Sequence, residues 1–292
     1  MKISELLKKE KFIFSCEFFP PKTEEGMVQL VQTIQETKKL NPGYISVTYG
    51  AGGSTRDKTI ELVKKAKNEI QIETMAHLTC VGHSKSEIKE ILGRLKSSGI
   101  ENIMALRGDP PIGEPHFHPH PDGFRYGSEL VEFIRKSYPF CIGVAGYPEG
   151  HPESKDRETD WNYLAKKVSA GGDLIITQLF FNNQDFFFFE KRMREKGITV
   201  PILPGIMPIT NYNQIVRFTQ NCGAKMSESL LKDLEKLQDD PEGIQKYGIN
   251  YALKQCEELI AHGVPGIHLY TLNKSHSAQT IITTLRKKIK KS

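Results

Sequence analysis

Short apolar runs alternate along the chain with longer segments in which apolar residues recur at every third or fourth position. Several of the short runs are almost continuously apolar, which is typical of strands that are covered on both faces. The longer segments have the period of amphipathic helices. The pattern therefore predicts strands at residues 12–18, 44–49, 73–80, 102–106, 140–145, 174–181, 201–207 and 266–272.

Two of the longer segments show the helical period most clearly, with apolar residues at positions i, i+3, i+4 and i+7. The second of these begins with Ser84 and Glu87, which have the spacing of a capping box, and Gly99 follows it as a C-terminal signal. Both segments are therefore predicted to be helices. Their apolar faces are Met27, Leu30, Val31 and Ile34 in the first, and Ile88, Ile91, Leu92 and Leu95 in the second.

Counting a last helix at about residues 277–290, eight strand-and-helix units follow one another. A (β/α)8 barrel needs this number of units and usually has about 250 residues. The surplus length lies mostly in residues 209–262, where helices are predicted at 228–237 and 241–262. We therefore expect an α/β fold, a (β/α)8 TIM barrel forming a single domain over residues 1–292, with extra helical material between strands seven and eight.

An open doubly wound sheet would show the same alternation of strands and helices. Such sheets usually contain a glycine-rich phosphate loop. The glycine segment at residues 50–55 follows a predicted strand but lacks the third glycine of the dinucleotide fingerprint, and the sequence contains no GxxxxGK[ST], GxSxG or HExxH motif. The barrel is therefore the preferred interpretation.

The surplus of positive charge is confined to one end of the chain. The sequence has 40 Lys and Arg against 35 Asp and Glu, a formal net charge of +5, and residues 286–291 contain five of the basic residues. The rest of the chain is thus formally neutral, which argues against a nucleic-acid surface spread over the fold. No apolar stretch approaches the roughly 20 residues of a membrane span, so no membrane partner is expected.

The N-terminus and the cysteines indicate the cellular compartment. The first ten residues form a charged amphipathic segment without the apolar core of a signal peptide. The cysteines are odd in number and form no CxxC pair, a usage typical of a reducing cytoplasm. We predict a cytoplasmic protein with buried thiols, and a catalytic thiol is the less favoured alternative. The five cysteines are Cys16, Cys80, Cys141, Cys222 and Cys256.

Two polar residues lie inside predicted strands near the carboxyl ends, where barrel enzymes place their chemistry. Glu17 is flanked by apolar residues, and burial there would raise its pKa and suit it to general-acid catalysis. The alternative is a structural salt bridge to an arginine. His77 also has apolar neighbours, and such a histidine is more often a satisfied core residue than a catalyst.

Other polar groups follow the strands. Arg107 and Asp109, separated by a glycine, come directly after strand four and suit an anionic or polar ring, although an ordinary charged turn has the same composition. Gln178 interrupts an apolar run, so a ligand or a neighbouring strand must supply its partners. The histidines in residues 116–120 lack the spacing of a zinc site, and a surface loop without metal is predicted.

Taken together, eight motifs in order closely resemble the bacterial methylenetetrahydrofolate reductases, over about residues 10–275. Each motif alone is weak, whereas eight at the family's spacing are specific. They are CEFFPP at 16–21, SVTYGA at 46–51, AHLT at 76–79, ALRGD at 105–109, YPEGHP at 147–152, TQ at 177–178, PGIMP at 204–208 and HLYTLN at 268–273.

The resemblance implies a (β/α)8 barrel that binds FAD non-covalently at the carboxyl ends of its strands. NADH or NADPH would reduce the flavin and leave, and 5,10-methylenetetrahydrofolate would then accept a hydride to give 5-methyltetrahydrofolate for methionine synthesis. It also implies a homodimer or homotetramer. Eukaryotic relatives add a C-terminal regulatory domain that binds S-adenosylmethionine, and this mode of inhibition is expected to be absent here.

Carried over by position, Glu17 matches the family's catalytic acid, and Asp109 matches the carboxylate beside the flavin and the folate. Lys166 stands where the family has an arginine, and Tyr163 where it has an asparagine. The implied cofactor-binding residues are Thr48, Tyr49, Ala51, His77, Arg107, Gly108, Asp109, Tyr126, Gly127, Tyr147, His151, Ser154, Asp160, Tyr163, Lys166 and Lys167. The implied substrate-binding residues are Glu17, Thr48, Gln178, Gln214, Phe218 and Lys274.

Two alternatives stay open at this point. A flavin-free relative would transfer hydride directly from the nicotinamide to the folate, but the presence of His77, Arg107 and Tyr147 favours the flavin form. A catalytically silent barrel would serve as a folate-binding or scaffold subunit, but Glu17 and Asp109 are both present.

Overall fold

Nine parallel strands form one sheet in the part of the chain that the structure describes. The computed structural model describes residues 1–50, 56–110, 113 and 117–289. The strands are β1 (Ile13–Phe18), β2 (Tyr44–Val47), β3 (Thr74–Thr79), β4 (Asn102–Leu106), β5 (Cys141–Gly146), β6 (Leu174–Thr177), β7 (Ile202–Leu203), β8 (Gly205–Ile206) and β9 (Gly266–Tyr270).

The sheet closes into a barrel through β7 and β8. From β6 to β1 the neighbours follow chain order, and β1 also pairs with β9. β7 pairs with β6 and β8 pairs with β9, while only Pro204, which has no N–H to donate, separates β7 from β8. The two edges of the sheet therefore belong to one chain segment. This confirms the predicted (β/α)8 barrel, with β7 and β8 together as its seventh strand.

Helices cover the outside of the barrel, and the Ser84 capping box and the left-handed Gly99 after it are present as predicted. The two helices expected between strands seven and eight are also found, preceded by a third one. The helices are α1 (Ile3–Lys9), α2 (Glu24–Lys38), α3 (Arg56–Lys65), continued by a π-helical turn (Ala66–Ile70), α4 (Lys85–Ser97), α5 (Gly127–Ser137), α6 (Arg157–Ser169), α7 (Asn183–Glu195), α8 (Tyr212–Cys222), α9 (Glu228–Lys236), α10 (Pro241–His262) and α11 (Ser275–Ile289).

Helix α1 covers the amino end of the barrel. Its Ile3 and Leu7 are buried against residues that begin the strands, among them Tyr44 and Met75. The backbone N–H of Ile3 donates to Oδ1 of Asn102 at 2.8 Å. The charged amphipathic segment seen in the sequence is thus a short helix that buries its apolar face. It lies at the end of the barrel opposite the carboxyl ends of the strands.

The cysteines are free thiols, four of them buried and Cys222 partly buried, as predicted. Burial raises the pKa of the Cys16 thiol to about 12, which keeps it protonated and unreactive near neutral pH. Among the residues described, no helix is long and apolar enough to cross a membrane.

Candidate active site

The carboxyl end of β1 presents Glu17 to two histidines and a serine from neighbouring strands. On β1 the residues at positions 15 and 17 face the barrel interior, because side chains alternate along a strand. Parallel pairing sets Ser46 of β2 opposite Glu17, and its Oγ donates to Glu17 Oε2 at 3.3 Å. Nε2 of His268 on β9 lies 3.3 Å from the same oxygen, and Nε2 of His77 on β3 lies 3.4 Å from it.

These contacts reverse the expected titration of Glu17. Burial is the largest single influence and opposes ionisation, but the hydrogen bond from His268, the nearby histidine charge and the hydrogen bond from Ser46 together outweigh it. They hold the pKa of Glu17 below its ordinary value of 4.5. The prediction of a raised pKa is therefore wrong, since it considered burial without the hydrogen-bonding partners. The alternative of an arginine salt bridge is also wrong, because these partners are histidines.

His77 is buried but not satisfied by the protein. Its Nε2 has no hydrogen-bond partner among the described residues, although it faces Glu17, and Oγ1 of Thr79 on the same strand is also unpartnered. Burial lowers the pKa of His77, while the charge of Glu17 opposes that shift. The view of this residue as a satisfied core histidine is therefore wrong. Two unpartnered polar atoms at the end of β3 indicate a place where a ligand makes contact.

Cationic groups gather beyond β4 and β5. Arg107 forms a two-point ion pair with Glu153, with contacts of 2.5 and 2.8 Å. Nζ of Lys167 on α6 donates to the carbonyl of Ala145 at 2.6 Å. Burial lowers the pKa of Lys167 to about 8, although the charge of Asp160 opposes this shift and Arg107 adds to it. The cluster suits an anionic group that also contacts the barrel mouth.

At this end of the barrel, two glycines lie where the backbone packs against neighbouring residues. Gly108 has a φ of 88°, and a Cβ there would lie 2.6 Å from Cγ1 of Val81. Gly127 begins α5 and lies next to the backbone of Arg107. A Cβ at this position would be at ordinary contact distance from that backbone. Asp109, directly after Gly108, is exposed. The loop therefore brings backbone amides and one carboxylate to the mouth.

Helix α8 covers the mouth beside β6. Its Phe218 packs, partly buried, in an apolar cluster with Leu179 after β6 and with α9 and α10. Gln214 lies at the start of α8, and Gln178 at the end of β6 accepts from the N–H of Leu179 at 2.9 Å. Leu179 and Ile215, the sequence neighbours of the two predicted glutamines, belong to this same apolar cluster.

The loop after β9 is fastened to β1 beside Glu17. Asn273 has a left-handed φ of 60°, and its side-chain amide accepts from the N–H of Phe19 at 2.9 Å and donates to the carbonyl of Phe19 at 2.7 Å. Oγ1 of Thr271 donates to the carbonyl of Glu17 at 2.6 Å. These bonds continue the β1–β9 pairing beyond the strands and hold the backbone that carries the carboxylate. Lys274 follows, exposed, at the rim.

The remaining predicted site residues differ in placement. Tyr147 and His151 are in edge-to-face contact with ring centroids 4.7 Å apart, and Ser154 reaches Asp160 at 3.5 Å. Tyr49 contacts His83, and Thr48 follows β2. Lys166 and Tyr163 are instead exposed and contact each other, and Tyr126 is 55% exposed. Ala51, His116 and the chain beyond Ile289 lie outside the described residues.

Sequence reasoning missed three residues that contact Glu17 or its partners. His268 is fully buried and was read only as part of a motif, and Ser15 and Ser46 were not singled out. The available signal was a polar side chain in an otherwise apolar strand, the same signal that identified Glu17. What the sequence does not show is that β9 lies beside β1, which follows from barrel closure.

Comparison with known proteins agrees with the geometry. The family model described as methylenetetrahydrofolate reductase matches residues 2–286. The chain is 41% identical over 295 residues to methylenetetrahydrofolate reductase (NADH) 1 of Arabidopsis thaliana, covering 97% of this chain and 50% of that protein. It is 36% identical over 273 residues to 5,10-methylenetetrahydrofolate reductase of Escherichia coli K12, covering 93% and 90% respectively. The chain thus spans about half the length of the plant relative and most of the bacterial one.

A solved structure has the same fold. It is an uncharacterized protein from Clostridium thermocellum, described as binding two copies of 5-methyl-5,6,7,8-tetrahydrofolic acid, with a TM-score of 0.68 over 98% of this chain and 99% of that one. At 14% sequence identity, this likeness supports the barrel fold alone.

Proposed function

The chain belongs to the methylenetetrahydrofolate reductase family, and on that premise we propose that it reduces 5,10-methylenetetrahydrofolate to 5-methyltetrahydrofolate with NADH or NADPH. We propose FAD as its bound cofactor. The observation that supports this function most is Glu17 at the barrel mouth, partly exposed and in contact with His77 and His268. A carboxyl group so placed is suited to proton transfer with a flat reactant above it.

The residues at the mouth fit a flavin dinucleotide. The unpartnered atoms of His77 and Thr79 need a polar ligand, and the close backbone approach at Gly108 leaves no room for a side chain. The partly buried Lys167, and Arg107 in its ion pair with Glu153, would supply positive charge for a diphosphate near the first turn of α5, whose N-terminus also favours anions. Bound there, FAD would supply the hydride chemistry, taking a hydride from the nicotinamide and delivering it to the folate.

Glu17 would protonate the folate nitrogen as the five-membered ring opens to an iminium. Its low pKa in the free protein is compatible with this role, because a reactant that covers the mouth excludes water and strengthens the desolvation that opposes ionisation. Asp109 would stabilise the cationic iminium by its negative charge. Gln178, Gln214 and Phe218 would form the side of the mouth that holds the flat reactants in turn.

The test is anaerobic stopped-flow kinetics of the flavoprotein, first with each nicotinamide and then with methylenetetrahydrofolate. In the Glu17→Gln variant we expect folate reduction to fall at least about 100-fold while flavin reduction by NAD(P)H stays within about threefold, because general-acid catalysis contributes on the order of 100-fold or more. Equal losses in both half-reactions would show that Glu17 has a structural role.

The same experiment separates the two alternatives. A protein that shows no flavin absorbance, cannot be reconstituted with FAD and still oxidises NAD(P)H with folate would be the flavin-free reductase. A protein that binds folate without turnover would be the silent barrel. Assembly as a homodimer or homotetramer stays a prediction, which light scattering of the purified protein would test.

A further inference from the structure

The carboxyl group of Glu17 has two oxygens in different surroundings. Ser46 Oγ at 3.3 Å, His268 Nε2 at 3.3 Å and His77 Nε2 at 3.4 Å all approach Oε2. Among the described residues, no hydrogen bond or ion pair reaches Oε1. The side chain is 18% exposed, so Oε2 is turned into the barrel and Oε1 is the oxygen left for a reactant at the mouth.

His268 has a partner for each ring nitrogen. Nδ1 lies 2.8 Å from the hydroxyl of Ser15, and Nε2 lies 3.3 Å from Oε2 of Glu17. The ring is fully buried, stacked on Tyr44 with centroids 6.1 Å apart and in edge contact with Tyr270. These contacts fix the ring plane, so the position of its proton is the remaining variable.

The surroundings favour the neutral tautomer with its proton on Nε2. In that tautomer Nε2–H donates to Oε2 and the Ser15 hydroxyl donates to Nδ1, so both ring nitrogens of His268 are satisfied. In the opposite tautomer Nε2 would accept from Ser46 Oγ at 3.4 Å, and the ionised Oε2 of Glu17 would lose both its Ser46 and its His268 donors unless it were protonated. An oxygen surrounded by donors is the less favourable of the two to protonate.

We propose that Ser15 and His268 are positioning residues that assign the transferable proton of Glu17 to Oε1, the oxygen at the mouth. This rests on the proposed acid role of Glu17 and specifies its atom. In the step, the O–H bond at Oε1 breaks and an N–H bond forms on the folate nitrogen, which also takes the electron pair of the C–N bond that opens. The carboxylate left behind keeps its donors at Oε2 and regains a proton at Oε1 from water.

The Glu17→Gln variant tests the assignment without folate, because glutamine has one acceptor and one donor in place of the two oxygens. If the acceptor faces His268, this histidine keeps its proton on Nε2. If the amide donor faces it, His268 must carry its proton on Nδ1. Nitrogen-15 NMR of histidine-labelled holoenzyme distinguishes the two tautomers. The ring signals that disappear from the spectrum of His268→Gln are those of His268.

We expect Nε2 of His268 to carry a proton in both the wild type and Glu17→Gln. A His268 protonated on Nδ1 alone in the wild type would overturn the proposal. So would a switch to the Nδ1–H tautomer in Glu17→Gln, because the donor would then point into the barrel.

The kinetic arm compares two replacements of the histidine. His268→Gln can still donate to Oε2, and we expect folate reduction within about threefold of wild type. His268→Met fills similar space without a donor; we expect the alkaline limb of the pH profile for folate reduction to move up by about one pH unit, because the ionised carboxylate loses one hydrogen bond. Equal pH profiles for the two variants would overturn the proposal. The rate of flavin reduction by NAD(P)H is the control, because a variant with a disturbed fold would also lose this half-reaction.

The two levels of inference fail separately. If Glu17→Gln reduces folate at the wild-type rate, the acid role in the proposed function is wrong whatever the tautomer. If that variant is inactive but its His268 carries the proton on Nδ1, the acid role stands and only the assignment to Oε1 is wrong.

Discussion

Glu17 and Lys167 are both partly buried at the barrel mouth, and burial opposes charge on each of them. The outcome depends on their partners. Glu17 has three groups around one oxygen, and its pKa lies below the ordinary value. Lys167 has the carboxylate of Asp160 nearby but also the positive charge of Arg107, and its pKa falls to about 8. Burial is the largest single influence on both groups, and the partners outweigh it at Glu17 but not at Lys167.

The titration of Lys167 leads to a pH dependence of cofactor binding. Above about pH 8 the apoprotein loses the ammonium charge that would pair with a diphosphate, so FAD binding should weaken as pH rises. We expect the Kd for FAD to increase roughly tenfold between about pH 7 and about pH 9, measured by quenching of flavin fluorescence. In Lys167→Met the Kd should be high and nearly independent of pH over this range.

Lys166 provides the matched control, since it is the adjacent lysine on the same helix but lies on the exposed face. We expect Lys166→Met to change the Kd for FAD by less than about threefold, as is usual for one exposed charge. A loss in Lys166→Met as large as that in Lys167→Met would contradict the proposed diphosphate site.

Asp109 should lower the midpoint potential of the flavin, because its negative charge disfavours an anionic reduced form. Asp109→Asn is therefore expected to raise the midpoint by about 10–30 mV, the two-electron equivalent of ~0.5–1.4 kcal/mol. The effect is small because Asp109 is exposed and water screens its charge. Spectroelectrochemical titration measures it, with Glu36→Gln on the distant α2 as control. An unchanged or lowered midpoint would count against this placement.

At the scale of elements, the amino and carboxyl ends of the barrel are built differently. Helix α1 buries Ile3 and Leu7 at the amino end, while the loop after β9 fastens to β1 through Thr271 and Asn273 at the carboxyl end. The first arrangement buries apolar side chains at one end of the barrel, and the second holds the backbone of Glu17 at the other. Stability and chemistry are thus separated along the barrel axis.

This separation predicts that a substitution at the amino end of the barrel lowers the free energy of unfolding without weakening FAD binding. Ile3→Ala removes a completely buried side chain and should lower the free energy of unfolding by about 2–5 kcal/mol in urea titrations. The Kd for FAD should stay unchanged, because the replaced side chain lies at the opposite end of the barrel. Val28→Ala on α2, where the side chain is 61% exposed, is the control and should cost less than about 0.5 kcal/mol. Weakened FAD binding in Ile3→Ala would show that the ends are coupled.

At the scale of the whole molecule, one apolar cluster runs around the barrel. It includes strand residues such as Ile45, Val144 and Leu269 and the helix residues that pack on them, and Trp161 of α6 belongs to it. A second cluster joins α8, α9 and α10 to the ends of β6 and β8. Because the sheet is closed, loss of one strand would expose its two neighbours.

The closed sheet predicts a single cooperative unfolding transition. Thermal unfolding followed by the fluorescence of Trp161, the sole tryptophan of the chain, should coincide with the loss of far-ultraviolet circular dichroism. Saturating FAD should move both transitions upward by the same amount, since it binds only the folded barrel. Two separate transitions would show that the α8–α10 region unfolds independently and would contradict the prediction of one domain.

The sequence was sufficient for the order and type of the elements. Helix and strand periods are local properties, so the eight predicted strands lie within a few residues of the observed ones, and the helices at Glu228–Lys236 and Pro241–His262 were found where expected. The break between β7 and β8 and the helix α1 were not foreseen. Both depend on packing, since β7 and β8 are short strands that pair with different neighbours and α1 is stabilised by the barrel end that it covers.

By itself, therefore, the sequence determined the barrel, the family resemblance and the identity of Glu17 as a polar residue in an apolar strand. Only the tertiary structure decided which groups surround that carboxyl. His77 and His268 are far apart in sequence and reach Glu17 because β9 pairs with β1 on one side and β3 lies beyond β2 on the other. The direction in which the pKa of Glu17 moves depends on distances of a few ångströms between strands, and no local pattern contains such distances.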